Sequence, residues 1–162
     1  MPLFMKFLHV ITAFWFVTGL IGRNLTMRQA ARTPDIHITA ALVKLAGRFE
    51  MLMVRPGSFL VLGFGIVAAV MQGWPILGSL QGGTSNWLFV STLIYLGMIP
   101  IIPLIFIPRG KVFGAALENA VAQGTFTPEL KAAFTDPVVA AAHAAELIGI
   151  VVIIILMVMK PF

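Results

Sequence analysis

The sequence predicts an all-α polytopic membrane protein, a four-helix bundle with short interfacial helices on the cytoplasmic side. Three observations predict it. The 162 residues are 59% hydrophobic and 10% charged, with a mean hydropathy of +1.00, whereas a soluble domain is about half apolar and about a quarter charged. The stretch from Pro56 to Pro108 contains no charged residue and is too long for one span of ~20 residues. Its apolar runs are continuous rather than alternating, which argues against a membrane β-barrel. The same composition excludes a soluble enzyme, a disordered chain and a nucleic-acid binder. The absence of cysteine excludes disulfides, iron–sulfur clusters, thiolate zinc sites and thioether-attached haem.

Four transmembrane helices are expected, at about 3–22, 52–72, 87–107 and 138–159, within one domain covering 1–162. The first has the Lys6-plus-apolar character of a signal peptide, but no small-residue cleavage site follows, so it reads as a permanent span. Pro34 to Arg48 reads as a short amphipathic helix with Ile38, Leu42 and Leu45 on one side and Gly47 near its end. The turn-rich string Gly73 to Asn86 separates the second and third spans. Lys111–Gln123 resembles the earlier amphipathic segment. Thr127-Pro128-Glu129 caps a further short helix through Phe134, and Asp136-Pro137 caps the fourth span. These connecting helices are expected at the cytoplasmic interface.

Charge orients the bundle. The first connection carries Arg23, Arg28, Arg32, Lys44, Arg48 and Arg55, and the third carries Arg109, Lys111 and Lys131, so nine of the eleven cations fall there. Lys6 and Lys160 lie on the other side. The positive-inside rule places both basic connections in the cytoplasm and both termini outside the bacterial inner membrane. The net charge of +5 thus needs no nucleic-acid partner.

Ionisable groups within spans are costly and usually face a bundle interior or cavity. His9 lies two turns inside the first helix, on a face with Lys6, Thr12 and Arg23. It suits haem ligation through a ring nitrogen; the structural alternative is an interhelical hydrogen bond. His143 and Glu146 lie one turn apart on the fourth helix and suit a proton, a quinone head group or a metal, or else Glu146 neutralises a nearby arginine. Arg23, Arg48 and Arg55 join them as a cytoplasmic polar cluster. It can hold porphyrin carboxylates, since arginine pairs with carboxylate bidentately, or snorkel to lipid phosphate. His9 and His143 are separated by roughly 15 Å in depth, so one iron is not shared between them. Of the two, His9 is the expected haem-iron ligand, with Lys6 or Lys160 available to the propionates and Met71 or Met157 as second ligand. Gly65 with Ala69, and Ala141, Ala145 and Gly149 on the fourth helix, give small-residue faces for close helix approach.

Several strings then carry a resemblance: Leu8-His9-Val10, Trp15 with Gly19-Leu20-Ile21-Gly22-Arg23, Gly47-Arg48-Phe49-Glu50, Met53-Val54-Arg55-Pro56-Gly57, and Glu146 with the ending Lys160-Pro161-Phe162. They resemble a bacterial family of four-helix integral membrane proteins of unknown function, and the likeness spans the chain. More distantly, His9, Arg48, Pro56 and Lys160 look like their counterparts in the HemJ-type protoporphyrinogen oxidases. Those are small inner-membrane proteins that bind haem b through histidine, with methionine a proposed partner. Where that family has an arginine and an Asn-Glu-x-Pro string before its last helix, this chain reads Ala-Ala-His143-Ala-Ala-Glu146.

The resulting expectation is a haem-b-binding inner-membrane protein with a redox or porphyrin-linked role, in the oxidase resemblance an oxidoreductase, with catalytic residues unassigned. The alternative is a non-catalytic accessory subunit or assembly factor. The partners expected are the lipid bilayer and either a second copy or a larger membrane complex.

Overall fold

The computed structural model describes residues 1–161, and no strand occurs among them. Phe162, the last residue of the Lys-Pro-Phe ending, lies outside the described residues. The helices are α1 (Pro2–Arg32), α2 (Ile36–Phe49), α3 (Arg55–Met71), α4 (Trp87–Met98), α5 (Ile107–Gln123), α6 (Pro128–Phe134) and α7 (Pro137–Met159). Four helical stretches are long and apolar enough to cross a membrane: Pro2–Arg32, Ile36–Met71, Trp87–Gln123 and Pro128–Met159.

The helices run beyond the expected spans. With no proline or acid after Pro2, α1 continues for 31 residues, about 46 Å against a hydrocarbon core of ~30 Å. The Pro34–Arg48 segment is helical as expected, with the Asp35 side chain accepting from the backbone N–H groups of His37 and Ile38. It is not a separate surface helix, however. A π turn, Glu50–Val54, runs α2 directly into α3. Likewise Lys111–Gln123 continues the third span through a π turn at Ile102–Phe106. Of the expected connecting helices α6 is the one that stands as a separate short helix among the described residues, opened by Thr127, whose hydroxyl oxygen accepts from the Leu130 N–H. Asp136 caps α7 as expected, accepting from Val138 and Val139.

Both π turns end one residue before an X-Pro pair, Arg55-Pro56 and Ile107-Pro108. Proline lacks an N–H, and its ring pushes against the carbonyl four residues back, so the turn widens. The Arg55 N–H then bonds the Glu50 carbonyl, and the Ile107 N–H bonds that of Ile102.

The chain forms two compact units. The first comprises Met1–Trp74 with Ala120–Phe126. In it α1 runs antiparallel to α2 and α3, and glycines on each helix receive side chains of the other. A Cβ on Gly19 would lie 2.6 Å from the Met53 Cβ, and one on Gly57 would lie 3.0 Å from the Phe16 Cβ. Phe16, Leu20, Val54, Ala68 and Ala69 are buried along this seam. Thr39, wholly buried, donates its hydroxyl to the Ala30 carbonyl at the end of α1.

The second unit comprises Pro75–Asn119 and residues from 127 onward. There α4 and α7 run antiparallel, with Gly149 seated against Met98 and Lys160 level with Trp87. Arg109 at the start of α5 pairs with Asp136, the cap of α7. In both units large apolar side chains point outward: Phe59 and Val158 are each 77% exposed. Solvated by water, this surface would be unstable; solvated by lipid tails, it is matched.

Candidate functional site

His9 sits where α1 crosses α3. Its Nδ1 lies 2.8 Å from the Val61 carbonyl oxygen. A carbonyl only accepts, so in the neutral ring Nδ1 carries the proton and Nε2 keeps its lone pair. Gly65 makes this approach possible, since a Cβ there would stand 2.9 Å from both Nδ1 and Cε1 of the imidazole. Thr12, on the same face, donates its hydroxyl to the Leu8 and His9 carbonyls of its own helix.

The antiparallel register of α1 on α3 sets the level of every other candidate in this unit. His9 is level with Gly65, so Met71, six residues further along α3, lies about 9 Å beyond it. Lys6, one turn away on α1, is about 4.5 Å along the axis. Arg55, Arg23 and Arg48 lie about 15, 21 and 25 Å from the His9 level. Lys6 is thus the cation nearest the His9 level, and the three arginines occupy a separate level of this unit.

Two of the arginines gather around Glu50. Glu50 Oε2 accepts from Arg23 at 2.7 Å, and its Oε1 lies 3.3 Å from Arg55 Nε. Residues five apart in an α-helix are rotated by about 140°, which hid the Glu50–Arg55 pairing. The π turn between them brings both to one face. A Glu-x₄-Arg-Pro string was the signal available. Arg48 is exposed and stands apart, forming no hydrogen bond or ion pair among the described residues. Its stem lines an open apolar groove of about 310 Å³ with Trp15, Leu45, Phe49, Leu52 and Met53.

In the second unit His143 and Glu146 meet as the helical spacing predicted, Nδ1 to Oε2 at 3.4 Å. The imidazole also stacks on Phe106, ring centroids 4.5 Å apart and planes 24° from parallel. Phe106 closes the second π turn, so the Pro108 device positions the ring that covers His143. Lys160 adopts a left-handed backbone (φ 47°) and holds its Nζ 5.2 Å from the Trp87 ring centroid, a cation–π contact. Met157 is half-buried on the same helix. No group of three His, Asp or Glu side chains that could hold a metal ion occurs among the described residues, so a metal bound by protein side chains alone has no chelating set there.

Four membrane-length apolar helices, with polar side chains paired at helix crossings and proline turns, define a polytopic α-helical membrane protein. The chain belongs to the family described as predicted integral membrane protein (DUF2269), whose model matches residues 3–161. No curated protein and no solved structure matches it.

Proposed function

We propose that this is a haem-b-binding membrane protein with a redox or porphyrin-linked role, in which His9 supplies an axial ligand. The observation that carries the reading is the His9–Val61 hydrogen bond. Metal-ligating histidines characteristically donate their second ring N–H to a carbonyl or carboxylate, which fixes the tautomer and the ring orientation. Here the backbone of α3 provides that acceptor, and Gly65 clears the space for it.

The residues fit the group at the level of one imidazole ligand and one cation. His9 would hold the iron, and Lys6, exposed one turn away, would pair with a propionate. Haem would supply one-electron exchange; the chain would supply orientation and a surround of low dielectric. The resemblance to the HemJ-type oxidases at His9 and Pro56 supports the same reading. The charge distribution supports an inner-membrane location with both termini outside.

The test is an absorption spectrum of the detergent-purified protein. A Soret band at stoichiometric haem is expected, abolished by His9→Ala and retained in His143→Ala. A band lost only with His143 would move the ligand to the second unit.

A second reading, a non-catalytic subunit docking onto a larger membrane complex, draws on Ala141 and Ala145, which remain exposed on α7. The small residues of α3 support it less, since His9 and Phe16 of the same chain already fill the notches at Gly65 and Gly57. A colourless preparation recovered only with a larger complex would favour this second reading.

A further inference from the structure

We propose that the groove beside Arg48 is a binding site for an anionic phospholipid, its phosphate on the Arg48 guanidinium and one acyl chain along the apolar wall.

Trp15, Phe49, Leu52 and Met53 give the groove a lining without polar surface, to which Arg48 contributes only its methylene stem. A molecule that satisfies both wall and mouth has a hydrocarbon tail and an anionic head. Arginine meets phosphate with parallel N–H donors, which a lysine cannot reproduce.

Glu50, the nearest carboxylate in sequence, already accepts from Arg23 and Arg55, and Arg48 has no partner of its own among the described residues. Between Arg23 and Arg55 the chain carries six cations against two acids, Asp35 and Glu50, leaving four positive charges uncompensated. Of these cations Arg48 lines the groove, and one cation beside a membrane span favours an anionic over a zwitterionic headgroup that it touches.

The wall is also held in place. The Trp15 indole is pinned by its Nε1–H to the Leu52 carbonyl at 3.2 Å, so the groove does not depend on a freely rotating ring. Arg48 stands about 25 Å along the helix from the level of His9, so the phosphate contact is independent of the haem reading.

Native mass spectrometry of the delipidated full chain, titrated with dioleoyl phosphatidylglycerol or dioleoyl phosphatidylcholine, tests the proposal. Wild type should prefer the anionic lipid by about fivefold, the weight of one juxtamembrane cation. Arg48→Gln should lose that preference, and Arg28→Gln, which removes an exposed charge elsewhere, should keep it. Leu45→Trp, which fills the groove without altering charge, should weaken retention of both lipids. Circular dichroism and gel filtration establish that each variant is folded. The proposal is overturned if Arg48→Gln keeps the preference, if Arg28→Gln loses it equally, or if glycerol 3-phosphate competes as well as the lipid. Loss of a Soret band in Arg48→Gln would instead make the residue a porphyrin contact, and would also overturn it.

Discussion

The Trp15 indole Nε1–H donates to the Leu52 carbonyl oxygen at 3.2 Å, and Leu52 is the residue whose carbonyl Pro56 leaves without its helical donor. In water that carbonyl would be solvated. In lipid it must find a donor within the protein, and α1 provides one. The proline, the π turn and the indole therefore form one arrangement spanning two helices.

This arrangement predicts a coupling. Trp15→Phe should destabilise the protein by about 1 kcal/mol, in the range of interhelical hydrogen bonds in membranes. In a Pro56→Ala background, where residue 56 regains its N–H, the same change should cost close to nothing. Unfolding of the four proteins in detergent completes the double-mutant cycle; equal costs in both backgrounds would remove the indole from this role.

The two arginines on Glu50 should not respond alike. Glu50→Gln leaves the buried Arg23 without its ionised acceptor and should cost about 2 kcal/mol, as expected for hydrogen bonds to charged groups. Arg55, whose side chain is 59% exposed, should tolerate alanine at a cost within about 1 kcal/mol. Thermal unfolding ranks them, and a larger loss in Arg55→Ala would reverse the assignment.

Gly65→Ala tests whether the His9–Val61 contact is linked to cofactor binding. The added methyl group displaces the imidazole from its carbonyl, so haem occupancy should fall in this variant while Gly63→Ala, where nothing stands within 4 Å of an added Cβ, leaves it unchanged. Soret absorbance per chain measures both.

Asp35 accepts from the Ile38 and His37 backbone N–H groups, and these bonds hold its carboxyl below the usual carboxylate range. A depressed folded-state value stabilises the fold above the unfolded pKa of about 3.9. That contribution is lost as the pH falls through the lower, folded value. Asp35→Asn keeps a capping acceptor without the charge. The variant should therefore show a smaller drop in thermal stability than wild type between neutral pH and the acid side of that window.

Orientation is directly testable because the chain contains no cysteine. A single Thr84→Cys should react with an impermeant maleimide added to intact cells, and Ala31→Cys only after lysis. The opposite pattern would invert the topology drawn from the positive charges.

The sequence alone determined the class of the protein. Long apolar runs, the absence of charge from Pro56 to Pro108 and the polar caps at Thr127 and Asp136 depend on local chemistry, and local chemistry decides helix, cap and membrane solvent. The spacing of His143 and Glu146 was legible for the same reason, since an undisturbed α-helix has a fixed period. What lay beyond the sequence required two helices at once. Glu50 joined Arg55 through the local π turn that Pro56 opens, but joined Arg23 only through the register of α1 on the α2–α3 helix. Likewise the level of His9 against Gly65, which sets its height relative to the arginines, follows from glycine notches filled across a helix pair. Periodicity gives the face of each helix, but relative height is set by packing between them.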